Sequence, residues 1–212
     1  MKTTYWTETF QYNTDLRERP ALVKNISIEM RKRNLTEILE LGCGRGRNSV
    51  WLSRENLSVT SLDCQFEYIL ALKKYAVLNN ITMNIVQADA VELPFKEDSF
   101  GVVLSSAVLA FIKEYARPLV IEEVKRVLKP KGLFVIVEIS QKDPSYGKGH
   151  LLEKDTYAYE GETLHFFSPQ EMRSLLSSMQ VAVLNESRVI DTSHGPLHIH
   201  GNITAVAIND SH

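Results

Sequence analysis

Three glycines at alternate positions, Gly42, Gly44 and Gly46, constrain this chain more than any other feature of its sequence. A short apolar run at 37–41 precedes them, and a helical pattern at 48–54 follows them. Glycine has no Cβ atom, so the backbone can turn sharply from strand to helix and lie against a ligand. The dinucleotide fingerprint needs its third glycine one residue later, where this chain has Arg47. The spacing therefore favours a different nucleoside cofactor, although a tight turn alone would also explain one glycine cluster.

Length and composition are those of one ordinary globular domain. The chain has 212 residues, 44% of them hydrophobic, and a net charge of −2. A slightly negative net charge gives no electrostatic attraction to a phosphate backbone, so we expect no nucleic-acid partner. No apolar stretch is long enough to cross a membrane, and the first ten residues do not resemble an export signal. Cys43 and Cys64 form no CxxC pair, which fits a reducing cytoplasm, and the sequence does not indicate the oligomeric state.

Strand-like and helix-like patterns alternate through the first two thirds of the chain. Strands are predicted at 37–41, 57–62, 85–86, 100–105 and 133–139, and helices at 48–54, 66–78 and 119–128. The last of these helices has one apolar stripe and is ended by the segment 129–132. Alternation at this spacing predicts right-handed βαβ units and a parallel sheet.

The last third departs from this alternation. Residues 141–167 are polar with scattered aromatic residues, and we expect a long lid-like insertion there that lies outside the core. Ser168, Pro169 and Glu171 supply an N-cap, an N1 proline and a capping-box acid, so a helix should begin at Pro169. Strands at 181–190 and 199–208 should then form a terminal antiparallel hairpin around 194–196.

The residues that follow each predicted strand are candidates for ligand contacts, because ligands of open parallel sheets bind beyond the carboxyl ends of the strands. After the second strand comes Asp63, whose carboxylate can accept hydrogen bonds from both hydroxyls of a ribose. After the third come Asp89 and Ala90, a carboxylate and a backbone N–H that could read an adenine edge. After the fourth come Ser105 and Ser106. Taken singly, Asp63 and Asp89 would be cap or Asx-turn residues, but their order favours one binding site.

The glycine turn after the first strand and the three positions after the second, third and fourth strands resemble, in this order, the motifs of the class I S-adenosylmethionine (SAM) methyltransferases. The resemblance covers about 38–139 and, more loosely, the hairpin. It implies an α/β, Rossmann-like, doubly wound seven-stranded sheet with a C-terminal antiparallel hairpin, as a single domain over 1–212. Within that domain we expect an N-terminal helical segment at 1–35, a SAM-binding core at 36–140, the insertion at 141–167, and a helix and hairpin at 168–212.

The resemblance also implies SAM as cofactor and a set of residues that bind it. Glu40, Gly42 and Gly44 would lie along the methionine part of SAM, Asp63 would hold the ribose, and Asp89 and Ala90 would flank the adenine. The cofactor-binding residues are predicted to be Glu40, Gly42, Cys43, Gly44, Gly46, Asn48, Asp63, Cys64, Asp89, Ala90 and Ser105. The segment 44–52 is also similar, more locally, to the tellurite-resistance and thiopurine-type branch, which favours a small acceptor.

The acceptor side is less constrained by the sequence. Methyltransferases of this fold that act on DNA or protein amino groups carry an Asn/Asp-Pro-Pro-aromatic motif after the fourth strand, and this chain has none there. The predicted acceptor pocket is lined by Ser106, Tyr157, Tyr159, His165 and His194. Packing under a loop explains the two tyrosines equally well, and His165 has the features of a packed or capping residue.

Two histidines are the predicted catalytic residues. His198 and His200 are two apart on a strand, so they share a face, and His194 precedes them in the turn. Neutral imidazoles there could act as a base or hold a metal or metalloid, but no other metal-ligand pattern is evident, so we expect no bound metal. Ordinary turn and strand roles remain an alternative for all three.

We therefore expect an enzyme that transfers a methyl group from SAM to a small-molecule acceptor by in-line displacement. Such a reaction depends mainly on proximity and alignment, so it can proceed without an obvious catalytic residue. A non-catalytic SAM-binding sensor or scaffold is the alternative, because the same glycine turn would serve it. A nicotinamide dehydrogenase is disfavoured by the glycine spacing and by the lack of room for a substrate domain.

Overall fold

The computed structural model describes residues 20–159, 161–191 and 198–210, and in these ranges the chain forms five α-helices and ten strands. The helices are α1 (Ala21–Lys32), α2 (Arg47–Ser53), α3 (Phe66–Leu78), α4 (Arg117–Val127) and α5 (Pro169–Leu175). The first five strands are β1 (Glu37–Leu41), β2 (Ser58–Asp63), β3 (Asn84–Gln87), β4 (Phe100–Ser106) and β5 (Leu128–Ile139). The other five are β6 (His150–Glu153), β7 (Thr156–Tyr159), β8 (Glu162–His165), β9 (Gln180–Asp191) and β10 (His198–Ile208).

Seven of the strands form one sheet in the order β3-β2-β1-β4-β5-β10-β9. β1 pairs in parallel with both β2 and β4, and β10 runs antiparallel to β5 and β9. The strand order therefore reverses between β1 and β4, where an open α/β sheet provides its ligand crevice. The predicted Rossmann-like sheet with a C-terminal antiparallel hairpin is confirmed.

The interior of this sheet is apolar on both faces, as its parallel centre requires. Val102, Val103 and Leu104 of β4 are fully buried, and the predicted stripe of α4, including Val120 and Val124, is buried against the sheet. The helix predicted at 119–128 is α4, which spans Arg117–Val127. None of the helices in the described ranges combines the length and the apolar character needed to cross a membrane.

Two predicted boundaries were wrong around the start of β5. Leu128 belongs to β5 rather than to the helix, and β4 pairs with it through Phe100. The register then shifts, so that the next pair is Val102 with Leu133, and the residues between form an irregularity with Lys131 at φ 63°. The predicted helix stop at 129–132 is therefore a bulge inside the strand.

The insertion at 141–167 contains regular strands and contributes residues to the core, which corrects the expectation that it lies outside the core. β6, β7 and β8 form a separate antiparallel sheet. Leu164, Phe166 and Phe167 at its end are buried in the main core. Leu164 lies in β8 and Phe166 and Phe167 follow it, and the mixed polarity of 156–165 gave no periodic signal that predicted their burial.

The helix after the insertion begins as predicted. Ser168 is the N-cap of α5, and its hydroxyl accepts a hydrogen bond from the Glu171 backbone N–H at 3.2 Å. Pro169 is the first helical residue. β9 and β10 form the predicted hairpin, whose turn at 194–196 lies outside the described residues.

Candidate functional site

The glycine turn between β1 and α2 provides an open cradle at the carboxyl edge of the sheet. Gly44 has φ +53°, and a Cβ atom built on it would meet no atom within 4 Å. Gly46 has φ +86° and is the N-cap of α2, and a Cβ atom there would overlap the Leu72 side chain. The left-handed backbone at both positions favours glycine. Gly46 is thus required for packing, whereas Gly44 leaves room beside the loop for a ligand.

Asp63, at the end of β2, connects the glycine turn to the loops that follow β2 and β3. The Gly44 backbone N–H donates to Asp63 Oδ2 at 2.8 Å, and the Gln65 backbone N–H donates to Asp63 Oδ1 at 2.8 Å. The Ala88 backbone N–H, after β3, donates to the Asp63 carbonyl oxygen at 3.2 Å. The loops that follow β1, β2 and β3 are therefore held together around one buried residue, Asp63, the first two through its carboxylate and the third through its backbone carbonyl oxygen.

Glu40, the last acidic residue before the glycines, is 3% exposed. Its carboxylate accepts a 2.8 Å hydrogen bond from Asn48 Nδ2 and one from the Ser49 hydroxyl, which in turn accepts from Ser61 Oγ at 2.6 Å. Burial raises the pKa of Glu40 to about 7, the hydrogen bonds from Ser49 and Asn48 oppose this shift, and the charge of Asp63 adds to it. The structure thus brings together two of the predicted cofactor residues, Glu40 and Asn48, behind the glycine turn.

The predicted adenine residues lie after β3. Asp89 is exposed, and its Oδ1 accepts a hydrogen bond from the Val91 backbone N–H at 3.1 Å, which is an Asx turn. Ala90 is 7% exposed and packs into the core. The Gln87 side chain bridges to the Cys64 carbonyl oxygen at 3.1 Å. The loop after β3 is therefore fixed beside the loop after β2.

The turn after β4 completes the crevice on its other side. Ser105 is buried, Ser106 is half-buried, and Ala107 has φ +55°, an uncommon conformation for a residue with a side chain. A Cβ atom built on Gly42 would lie 2.5 Å from Cγ2 of Val108, so this turn packs directly on the glycine turn. The carboxyl ends of β1 to β4 therefore converge, as the sequence predicted.

Glu138, near the end of β5, was not among the predicted site residues. It is 1% exposed, and its Oε1 accepts hydrogen bonds from the backbone N–H groups of Val108 at 3.0 Å and Leu109 at 2.9 Å. Oε2 accepts from the Ala110 N–H at 3.2 Å, and the Ser105 hydroxyl donates to Oε1 at 3.4 Å. Burial raises the pKa of Glu138 to about 7, and the hydrogen bonds oppose the shift. In the sequence, the sign of a buried acid with a structural or functional role was that Glu138 is the single acidic residue in the otherwise apolar run 133–139.

Three predicted pocket residues lie in the insertion. Tyr157 is half-buried in an aromatic cluster, with ring centroids 5.6 Å from Tyr146 and 5.9 Å from Phe166, and Tyr159 is half-buried on the same strand. His165 is 4% exposed. Its Nδ1 accepts from the Thr156 hydroxyl at 2.9 Å, and its Nε2 donates to Glu171 Oε1 at 2.8 Å. The structure thus places His165 in the packing between β8 and α5, with both ring nitrogens engaged by protein groups.

His200 lies at the base of the insertion. Its Nδ1 donates to Asp143 Oδ2 at 3.2 Å, and the Gly201 backbone N–H donates to the same oxygen at 2.9 Å. Asp143 Oδ1 accepts from the Ser145 backbone N–H at 2.9 Å. Burial alone would raise the pKa of Asp143, but the hydrogen bonds, led by that of His200, hold it below its ordinary value. His198 starts β10 opposite Asp191, its side chain is not described, and His194 lies outside the described residues.

The two cysteines lie at the crevice, but they have different surroundings. Cys43 is buried and Cys64 is exposed. Burial raises the pKa of both thiols, and neighbouring carboxylates, Asp63 among them, raise both further. Neither thiol is therefore activated as a thiolate nucleophile. Within the described part of the chain, no group of three His, Cys, Asp or Glu residues is arranged to hold a metal ion.

A separate open cavity of about 540 Å³ lies at the opposite edge of the sheet. It is lined by Arg31, Asn34, Leu35, Thr36, Glu55, Asn56 and Leu57. These residues flank the amino ends of β1 and β2, away from the glycine turn. The cavity does not belong to the crevice at the carboxyl edge.

Comparison with known proteins agrees with this geometry. Residues 39–136 match the family described as a methyltransferase domain. A SAM-dependent methyltransferase structure from Methanosarcina mazei superposes with a TM-score of 0.72 at 24% identity, covering 81% of this chain and 91% of that one. At this identity the superposition shows the fold. Together with the family match over 39–136 and the motif order, it shows that this chain is similar to the class I SAM-dependent methyltransferases.

Curated relatives match over a shorter span. The uncharacterized methyltransferase YodH of Bacillus subtilis is 33% identical over 107 residues, which are 50% of this chain and 45% of that protein. The ubiquinone biosynthesis O-methyltransferase of Rickettsia bellii is 26% identical over 151 residues, covering 69% of this chain and 62% of that protein. The matched region thus spans less than two thirds of the length of these two relatives.

SAM is the cofactor that the superfamily implies, and the residues present fit it. The cradle beside Gly44 is open, since a Cβ atom there would meet nothing within 4 Å. Asp63 uses one hydrogen bond at each of its two oxygens, and a carboxylate can accept about four, so acceptor capacity remains for two hydroxyls.

Proposed function

We propose that this protein is a SAM-dependent methyltransferase that acts on a small-molecule acceptor. The observation that carries the proposal is the convergence of four strand-end loops on one crevice, with the Gly44 N–H bound to Asp63 at its centre. This crevice lies where the strand order reverses between β1 and β4. SAM supplies an electrophilic methyl group on a sulfonium, and the chain has to bind, orient and desolvate the reactants.

The cofactor-binding residues that we propose are those predicted from the motifs. The open cradle at Gly44 supports a role beside the methionine part, and the two oxygens of Asp63 are suited to the ribose hydroxyls. Asp89 and the Ala90 N–H are proposed to flank the adenine. Glu40 acts behind the loop, where it holds Asn48 and the first turn of α2 in place.

The acceptor is proposed to bind between the turn after β4 and the insertion. Ser106, Tyr157 and Tyr159 supply a hydroxyl and two half-buried aromatic rings for this pocket. His165 is left out of the proposed pocket, because both of its ring nitrogens are used inside the protein. The Rickettsia relative is named for O-methylation in ubiquinone biosynthesis, which supports including phenolic and quinol acceptors among the candidates.

A proton must leave the acceptor when it reacts through a hydroxyl, and His200 is the proposed base. Its Nδ1 donates to Asp143 Oδ2 at 3.2 Å, which orients the ring at the base of the insertion, and an imidazole is a common general base. His198 is kept as the second predicted catalytic residue. The cytoplasm is the proposed location, supported by the two cysteines without a partner motif.

Binding and methyl release test the proposal in two stages. Isothermal titration calorimetry should detect binding of SAM and of its demethylated product, S-adenosylhomocysteine (SAH), and failure to bind either overturns the proposal. A methyl-release assay with labelled SAM is then run against phenols, quinols, thiols, amines and oxyanions. Transfer to one of these classes supports an enzyme, whereas SAH binding without transfer to any of them favours a SAM-binding sensor or scaffold.

A further inference from the structure

The turn after β4 is held on one side by a single buried carboxylate. Glu138 accepts hydrogen bonds from three consecutive backbone N–H groups, those of Val108, Leu109 and Ala110. These groups begin the 3₁₀ turn Leu109–Phe111, whose first amides have no partner within the turn itself. Bonds between a charged acceptor and backbone amides are stronger than bonds between neutral groups. The carboxylate therefore fixes three successive residues at once.

A buried guanidinium holds the same turn from the other end. Arg117 is 3% exposed, and its Nε donates to the carbonyl oxygens of Leu109 at 3.3 Å and Ile112 at 3.0 Å. Leu109 is thus bound through its N–H by an acid and through its carbonyl oxygen by a base. Arg117 also contacts Glu171 at 3.4 Å. The turn is anchored at both ends by an acidic and a basic side chain that have little access to water.

The held turn reaches the crevice through two contacts. The Val108 side chain occupies the space beside Gly42, where an added Cβ atom would lie 2.5 Å from Cγ2. The Ser105 hydroxyl, proposed to line the cofactor site, donates to Glu138 itself at 3.4 Å. Ala107 lies between them with φ +55°, a conformation that persists only where neighbouring contacts impose it. A shift of the turn would therefore move Val108, which packs against Gly42, and Ser105, which is proposed to line the cofactor site.

We propose that Glu138 is a positioning residue for methyl transfer, which fixes the turn after β4 against the glycine turn and so sets the shape of the cofactor crevice. This inference rests on the proposed function. Glu138 acts through the turn and is not proposed to touch a reactant. Its removal should loosen residues 108–110 and weaken SAH binding more than an equal loss of global stability elsewhere would.

Two substitutions at this position separate the hydrogen bonds from the side-chain volume. Glu138→Gln keeps one side-chain oxygen, which can still accept from the Val108 and Leu109 N–H groups. Its amide NH₂ replaces the oxygen that accepts from the Ala110 N–H, so that hydrogen bond is lost. Glu138→Ala removes all the acceptors. The matched control is Asn209→Ala, because Asn209 is also buried and its Nδ2 donates to the Leu128 carbonyl oxygen at 2.8 Å, at the opposite end of β5. The control removes buried hydrogen bonds from the same strand without touching the turn.

Backbone amide exchange and SAH calorimetry are measured on all three variants and on the wild-type protein. In Glu138→Ala, exchange at 108–110 should accelerate about tenfold or more and SAH should bind about tenfold more weakly. Glu138→Gln should restore slow exchange at Val108 and Leu109 and recover most of the affinity. Asn209→Ala should lower the melting temperature and leave both local exchange and SAH affinity at wild-type values.

The outcomes distinguish this inference from the proposed function. Wild-type protein that does not bind SAH overturns the proposed function. Wild-type protein that binds SAH, with Glu138→Ala binding equally well or exchanging no faster at 108–110, overturns only the positioning role. An affinity loss in Asn209→Ala as large as that in Glu138→Ala also overturns it, because the effect would then follow global stability.

Discussion

The Gly44 backbone N–H and the Asp63 carboxylate are joined by a 2.8 Å hydrogen bond that spans 19 residues of sequence. This bond connects the loop after β1 to the end of β2, so two motifs that are separate in sequence form one binding surface. It also orients Asp63 before any ligand arrives, which lowers the entropic cost of binding.

Replacing Asp63 should weaken cofactor binding. In Asp63→Ala the ribose hydroxyls lose their proposed acceptor and the Gly44 loop loses its anchor, so SAH should bind about 10- to 100-fold more weakly in calorimetry. Glu67→Gln, which changes an exposed carboxylate four residues later on α3, is the control and should bind like the wild type. Unchanged affinity in Asp63→Ala would remove this residue from the site.

Two glycines of the same turn should respond differently to alanine. Gly46→Ala forces a Cβ atom into Leu72 as well as an unfavourable backbone conformation, so the free energy of unfolding should fall by about 2–4 kcal/mol. Gly44→Ala meets no atom within 4 Å and should lose only about 1 kcal/mol, while its methyl group enters the proposed cofactor space and weakens SAH binding.

The control for this pair is Gly147→Ala. Gly147 also has a positive φ, +79°, and open space around its Cβ position, but it lies in the insertion. It should show the backbone cost without the binding loss. The interpretation of Gly44 is wrong if urea denaturation and SAH calorimetry give the same result for Gly44→Ala and Gly147→Ala.

The buried Glu40 should make stability depend on pH. Its folded pKa is about 7, above its ordinary value of 4.5. Between these values the unfolded carboxyl is ionised while the folded one keeps its proton, so this group's contribution to the free energy of unfolding falls as pH rises from 4.5 to about 7. Glu40→Gln cannot ionise, and its stability relative to the wild type should rise by about 3 kcal/mol over that window.

Urea denaturation at several pH values measures this difference. Glu123→Gln is the matched control. The hydrogen bond from Arg126 lowers the pKa of Glu123, so this carboxyl makes stability depend on pH only below 4.5. The difference between that variant and the wild type should stay constant from pH 4.5 to 7. A Glu40→Gln difference that also stays constant would contradict the raised pKa.

His200→Ala tests the proposed base. With an acceptor identified by methyl release, turnover should fall by about 100-fold, while SAH affinity stays near that of the wild type. His150→Ala, an exposed histidine on β6 of the same insertion, is the control and should turn over normally. Wild-type turnover in His200→Ala would restrict His200 to its bond with Asp143.

The elements that position the site were predictable because each follows from a local pattern. Apolar runs defined the strands, glycine spacing defined the turn, and the Ser168–Glu171 capping box defined the start of α5. The groups that hold the site in shape were not predictable. Glu138 meets the turn after β4 from 28 to 33 residues away in sequence. No periodic pattern reports a contact between side chains and amides at that separation.

The insertion shows the same limit. Its aromatic residues were visible in the sequence, but the small antiparallel sheet, the burial of Phe166 and Phe167 and the bond between Asp143 and His200 depend on tertiary pairing. Short strands with mixed polarity carry little periodic signal. Whether Tyr157, Tyr159 and the histidines serve the acceptor stays a prediction.

The two ends of the insertion meet at the sheet. Ser140 and Phe167 form a parallel bridge, the Phe167 N–H donates to the Ile139 carbonyl oxygen at 3.0 Å, and the Gln141 N–H donates to the Phe167 carbonyl oxygen at 3.2 Å. A segment that leaves and rejoins the scaffold at adjacent points can be exchanged for another of different length at little entropic cost. We therefore expect that replacing the insertion between Ser140 and Phe167 would change the proposed acceptor pocket and leave the proposed cofactor-binding loops in place.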